Sequence, residues 1–218
     1  MQCCASYHAH IHSDRSFLVS SLCALATLRG VESLALTGVS PIDFLGCTPE
    51  LESLSLSGRV DVTDLTPLIH LKRLKKLTLH GALKHGSLQP LGSLQPLASL
   101  KKLRSLTFFD VSRIGADVDS SFLASLELEE LYVFHALGTI DVSQLNTSRL
   151  KRLDLHVVAV TGLELLGPPA APPGYLTLSP GYEAQGKDLC QKGWCTVFDY
   201  GLNHIDWDDV DCSMCKRH

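Results

Sequence analysis

Residues 62–81 read VTDLTPLIHLKRLKKLTLHG, and this stretch decides the fold. It closes on L-x-x-L-x-L, Leu74 to Leu79, and the same pattern returns along the chain. The other clear copies are VESLAL from Val31, LESLSL from Leu51, LRSLTF from Leu103, LEELYV from Leu128 and LKRLDL from Leu150, with Val or Phe accepted in place of Leu. Two looser copies follow, PGYLTL ending at Leu178 and LNHIDW ending at Trp207. The fourth position falls at Leu34, Leu54, Leu77, Leu106, Leu131, Leu153, Leu176 and Ile205, at intervals of 20, 23, 29, 25, 22, 23 and 29 residues.

A period near 23 with this core is the leucine-rich-repeat signature. Each copy supplies one short strand whose leucines cannot be buried by that copy alone, so stacking is what makes a core. The predicted fold is α/β: a curved, right-handed leucine-rich-repeat solenoid with a parallel concave β-sheet and short helices or turns on the convex side. Pro41, Pro67, Pro90 and Pro96 sit where those convex segments should start. The 29-residue interval before Leu106 has a visible origin, because GSLQPL at Gly86–Leu91 is repeated at once at Gly92–Leu97. An inserted hexad belongs between strands, where extra length is tolerated. The expected organisation is an N-terminal capping strand and first convex segment over 1–30, repeats over 31–180, and a C-terminal cap with paired cysteines over 181–218.

On the strength of Val62–Gly81, the repeat resembles the short internalin-like class, also seen in phosphatase-regulating leucine-rich proteins. The resemblance covers roughly residues 17–180. Members of that class usually carry Asn a few residues after the strand, forming a buried ladder. Here the chain has only Asn146 and Asn203, and neither sits there. The turns must therefore satisfy their buried backbone groups another way.

Alternation along a strand places the third and fifth positions, and the residue after the motif, on the concave face. The first third of that face is small and hydroxylic, with Ser33, Ser53, Ser55 and Ser57. Lys76 and His80 follow, then Phe109, Tyr132 and Phe134, then Arg152, Asp154 and His156. Large aromatic groups beside an arginine are what an interface hot spot is made of. These eight residues are the candidate partner-binding set. The competing reading is that the duplicated loop or the C-terminal segment folds over the aromatics.

A formal charge of −4 is too mild to demand a polyanionic or polycationic partner. Lys72, Arg73, Lys75 and Lys76, then Lys101, Lys102 and Arg104, then Arg149, Lys151 and Arg152 nevertheless flank successive strand starts. They could line up as a nucleic-acid or acidic-lipid surface. Glu127, Glu129 and Glu130 interrupt them, which favours an ordinary solvated rim. No apolar run is long enough for a transmembrane helix. Phe17–Leu28 has some features of a signal-peptide core, yet its spacing suits a first convex segment better. The expected location is cytoplasmic or nuclear.

Of eight cysteines, Cys23 and Cys47 lie in apolar surroundings and read as core residues. Cys190, Cys195, Cys212 and Cys215 form two close pairs that could hold a structural zinc, or cap the solenoid without metal. Cys3 and Cys4 could accept palmitate, but no second lipid signal accompanies them. The stretch YHAHIHSD, Tyr7–Asp14, invites comparison with the His-x-His start of metal-dependent hydrolases. Such enzymes need further ligands from later strand ends, and no matching His/Asp set follows. His8, His10 and His12 are better read as one side of a capping strand before the first clear repeat. The expected function is thus a non-catalytic scaffold that binds another protein on its concave face, with no cofactor beyond that zinc. A ribonucleoprotein or nucleic-acid adaptor, using the basic rim and a zinc-stabilised end, is the alternative.

Overall fold

A computed structural model describes residues 7–12, 31–37, 42–57, 64–80, 94–109, 120–172 and 174–198. Its nine strands are β1 (Tyr7–His12), β2 (Val31–Thr37), β3 (Ser53–Ser57), β4 (Lys76–His80), β5 (Ser105–Phe109), β6 (Glu130–Asp141), β7 (Arg152–Thr161), β8 (Gly174–Leu178) and β9 (Trp194–Phe198). They form one sheet in chain order, and all of the pairings are parallel. Successive parallel neighbours, each joined by a crossover of similar length, make the chain a leucine-rich-repeat solenoid. The register lines up the repeat positions: Leu34, Leu54, Leu77, Leu106, Leu131, Leu153 and Leu176 form one row. Every one of them is at most 2% exposed, which marks the row as the axis of the core.

The convex side answers how the turns manage without an asparagine ladder. Leucine recurs every third residue at Leu65, Leu68, Leu71 and Leu74, and again at Leu94, Leu97, Leu100 and Leu103, all buried. In each run the leucine N–H donates to the carbonyl three residues back: Leu68 to Leu65 at 3.0 Å, Leu71 to Leu68 at 2.9 Å and Leu74 to Leu71 at 3.1 Å. This is 3-10 geometry, in which side chains three apart eclipse one another. One inward line of leucines and a locally satisfied backbone are therefore the same conformation. The 3-10 turns span Asp43–Cys47, Thr66–His70, Gln95–Ser99 and Ser120–Ser125, with Pro67 and Pro96 in the first turn as their fixed φ favours. Thr48 stands in for a leucine in the first run, and its hydroxyl donates to the Leu45 carbonyl at 2.9 Å.

A second ladder runs along the strand starts. The N–H of Lys75 donates to the Glu52 carbonyl at 2.7 Å, that of Arg104 to Lys75 at 2.8 Å, that of Glu129 to Arg104 at 2.7 Å and that of Lys151 to Glu129 at 2.8 Å. The peptide groups just before the strands thus join neighbouring repeats.

Three features depart from the sequence reading. The first is β9, at Trp194–Phe198, where the motif predicts no repeat; Leu176 pairs with Thr196, a step of only 20 residues. Helix α1 (Glu183–Gln191) makes that crossover and buries Leu189, while the Trp194 indole N–H donates to the Gly167 carbonyl at 2.9 Å. LNHIDW lies outside the described residues. Next, β6 and β7 run to 12 and 10 residues, well past the short strand of the motif, with bulges between Phe134 and Ala136 and between Ala136 and Thr139. Lastly, Cys47 is exposed at the end of its turn instead of buried, because position 47 lies off the line of every third residue that runs through Leu45 and Thr48.

Leu68 is wholly buried within a period-three run. Leu68→Ala is expected to cost about 2–5 kcal/mol in urea unfolding, the range for deleting a packed leucine. A change under about 0.5 kcal/mol, the range of indifferent surface sites, would show that the run does not carry the fold.

Candidate functional site

Parallel register turns the concave positions into columns that cross the strands. The column nearest the strand starts runs Ser33, Ser53, Lys76, Ser105, Glu130, Arg152, Tyr175 and Cys195. The middle column runs Ala35, Ser55, Thr78, Thr107, Tyr132, Asp154, Thr177 and Val197. Next to it, at the ends of β4 and β5 and within the longer β6 and β7, lie His80, Phe109, Phe134 and His156 on four consecutive strands. On β1, His8, His10 and His12 take the register of Ser33, Ala35 and Thr37, and Asp14 lies outside the described residues.

This third column is a continuous row of rings. His80 meets Phe109 edge-on with centroids 4.8 Å apart, Phe109 lies 5.7 Å from Phe134, and Phe134 lies 5.0 Å from His156. Tyr132 stacks beside Phe134 at 6.0 Å. All five rings are half-buried, each packed against its neighbours in the row. Such pairs add about 0.5–1.5 kcal/mol each beyond burial, so the row helps to hold its own arrangement.

Arg152 is fixed next to the row. Its Nη1 donates to the Tyr132 hydroxyl at 3.4 Å, and its guanidinium carbon lies 5.9 Å from the centroid of the Tyr175 ring. Burial pushes the Tyr132 phenol above the ordinary tyrosine range, against the opposing hydrogen bond from Arg152. For Arg152 burial works to lower the pKa, but the Tyr132 bond and nearby carboxylates outweigh it and the net shift is upward.

The other candidates separate from this cluster. Asp154 is only 7% exposed, with its carboxylate accepting from the Thr177 hydroxyl at 2.7 Å. It braces the sheet floor. Lys76 is exposed in the strand-start column, three strands from Arg152. Tyr175, which belongs to a loose repeat copy, has a larger part than its pattern announces, since it flanks the guanidinium. Cys190 approaches the Thr196 hydroxyl at 3.8 Å on the core side of β9, whereas Cys195 takes the concave register beside Tyr175. The two are therefore on opposite faces of that strand, and Cys212 and Cys215 lie outside the described residues. Among the described residues no group of three or more His, Cys, Asp or Glu side chains is placed to hold a metal ion.

Five cations of the basic rim, Arg73, Lys75, Arg104, Arg149 and Lys151, form ion pairs. Arg73 bridges to Glu50 and, at 3.4 Å, to Glu52; Lys75 bridges to Glu52 at 2.6 Å. Glu127 takes Arg104 at 3.4 Å and Arg149 at 3.0 Å, and Glu129 takes Lys151 at 2.7 Å. The hydrogen bond from Lys75 lowers the Glu52 carboxyl and that from Lys151 lowers Glu129, as ionised partners require. No described helix is long and apolar enough to cross a membrane.

Among solved structures, the chain is similar to internalin C2 of Listeria monocytogenes, at 22% identity and a TM-score of 0.47, over 65% of this chain and 61% of that one. It is also similar to internalin F of the same organism, at 18% identity and a TM-score of 0.41, over 88% of this chain and 66% of the other. The chain thus spans about three fifths to two thirds of the length of these internalins. No protein-family model and no curated protein matches it.

The Tyr132 shift can be read spectroscopically. A raised phenol means that the fold favours the neutral form. The associated stability is present below the ordinary tyrosine value near 10 and is lost as pH rises through the raised value. The absorbance titration at 295 nm of wild type minus Tyr132→Phe is expected to place this one phenol above that value. A difference curve centred at or below it would contradict the packed row.

Proposed function

We propose that this chain is a non-catalytic leucine-rich-repeat scaffold that recognises another protein through the aromatic row of its concave face. The observation that carries the reading is the row itself: four rings in mutual contact across β4, β5, β6 and β7, half-exposed, with Tyr132 and Arg152 at its side. Rigid aromatics lose little entropy on binding, and Tyr and Arg are enriched at hot spots. Lys76 and Arg152 on this face are balanced by Glu130 and Asp154, so its surroundings suit an uncharged, apolar anchor better than a phosphate backbone. Part of the rim argues the same way, because nucleic-acid affinity comes from cations able to exchange counterions for phosphate, and Arg73, Lys75, Arg104, Arg149 and Lys151 already have carboxylates.

Phe134→Ala is expected to weaken partner capture about thirtyfold, the effect of losing a hot-spot side chain of about 2 kcal/mol. Arg73→Ala, on the rim, is expected to leave it unchanged. The check is affinity purification from native lysate, with nuclease treatment in a parallel arm. Equal recovery with both variants would remove the aromatic row from the account, and loss of the partner on nuclease treatment would favour a nucleic-acid adaptor.

A further inference from the structure

The rim carries an order of charge that its ion pairs do not use up. Along the ladder of peptide groups before the strands stand Glu52, Lys75, Arg104, Glu129 and Lys151. Two residues earlier in each repeat stand Glu50, Arg73, Lys102, Glu127 and Arg149. Both rows read negative, positive, positive, negative, positive. Where the sign changes between neighbouring repeats, ion pairs form: Arg73 with Glu50, Lys75 with Glu52, Arg104 and Arg149 with Glu127, and Lys151 with Glu129.

The step from β4 to β5 breaks the alternation. Lys75 meets Arg104 there, with the Arg104 N–H donating to the Lys75 carbonyl at 2.8 Å, and Arg73 stands opposite Lys102. Lys72 and Lys101 match as well, since the N–H of each donates two residues back, to His70 at 2.9 Å and to Ser99 at 3.1 Å. Paired strands lie about 4.8 Å apart, so cation faces cation at each of these positions. Like charges directly opposed destabilise a sheet. The chain that joins the two strands, residues 81–93, contains Lys84 and no Asp or Glu to offset them. Lys72, Lys76, Lys101 and Lys102 are all exposed, and among the described residues none of them pairs with a carboxylate. Lys101 donates instead to the Ser125 carbonyl at 3.3 Å. Proteins break local agreement of this kind at functional sites, and here the missing counter-charge is one that a partner can bring.

The bounds of the patch select the partner. Glu50 and Glu52 close it on one side and Glu127 and Glu129 on the other, so the uncompensated cations span two repeats. A nucleic-acid strand following the rim would run into those carboxylates, whereas a short run of Asp or Glu fits between them. Lys76 also shares β4 with His80, the first ring of the row, four residues further on. At about 3.3 Å per residue the two positions are about 13 Å apart. We propose that the rim of the β4 and β5 repeats receives an acidic segment of the same partner protein whose apolar anchor sits on the aromatic row. The inference rests on the row being a binding surface, as proposed above, and adds the chemistry of its partner: an apolar anchor with a run of carboxylates about 13 Å away.

Fluorescence anisotropy of labelled hexaglutamate on the full chain tests this, with a six-nucleotide oligothymidylate as the second probe. Hexaglutamate is expected to bind at low salt and to weaken as salt screens the lysines. Lys72→Gln, Lys76→Gln and Lys102→Gln combined are expected to bind it about tenfold more weakly, the joint effect of three exposed ion pairs. Lys151→Gln, beyond the bounding carboxylates, should bind it as wild type does. Urea unfolding supplies a readout without any ligand: Lys72→Glu is expected to raise the midpoint of the free chain, because it turns a repulsive contact with Lys101 into an attractive one. No binding of hexaglutamate, a triple variant that binds like wild type, or a midpoint that does not rise would overturn the proposal. Tighter binding of oligothymidylate than of hexaglutamate would overturn it too and assign the patch to nucleic acid. If any of these results is found while Phe134→Ala still loses a protein partner, the rim inference fails and the proposed function stands.

Discussion

Everything in this solenoid depends on a leucine at every third position whose N–H reaches the carbonyl three residues back. A short 3-10 turn normally costs a protein, because eclipsed side chains pack poorly and the hydrogen bonds are bent. Here the eclipsing is useful, since it points Leu65, Leu68, Leu71 and Leu74 into one line that the next repeat can bury. The buried peptide groups are satisfied in the same step, which an asparagine ladder would otherwise have to do. Hydrophobic burial and backbone satisfaction therefore favour one geometry, the agreement between local and global preference that makes a sequence foldable.

The binding face is a consequence of that geometry. Uniform turns return the chain to the same place at each repeat, so that the rows in register stay in register across the sheet. A side chain chosen at one position after the motif then meets its counterpart from the next repeat. His80, Phe109, Phe134 and His156 lie far apart in sequence and form one strip for this reason. The charged residues just before the strands obey the same rule, and Glu52 meets Lys75 as Glu129 meets Lys151. One register thus produces both ion pairs between repeats along the rim and a ring-lined floor.

Much of this is legible in the amino-acid sequence. The motif residues Leu34, Leu54, Leu77 and their successors identify the inner row, and strand parity puts Phe109, Tyr132 and Phe134 together on the concave face. The features that the motif does not announce have physical causes. At β9 Thr196 and Phe198 take the register of Leu176 and Leu178, and Trp194 that of Gly174, because this strand packs against α1 and the Gly167 loop. The burial of Asp154 is hidden by its charge; its hydroxyl partner is one strand away on Thr177, and sequence spacing shows neither. Cys47 has apolar neighbours that suggest burial, but inward and outward positions in a 3-10 turn are separated by a single step along the chain.

Amide hydrogen exchange resolved by residue is the most direct test of the central claim. If the convex leucine N–H groups are bonded to the carbonyls three residues earlier, Leu68, Leu71, Leu97 and Leu100 should be protected to the same degree as Leu77 and Leu106 in the strands. Exchange of the convex amides at the rate of open chain, with the strand amides still protected, would contradict it.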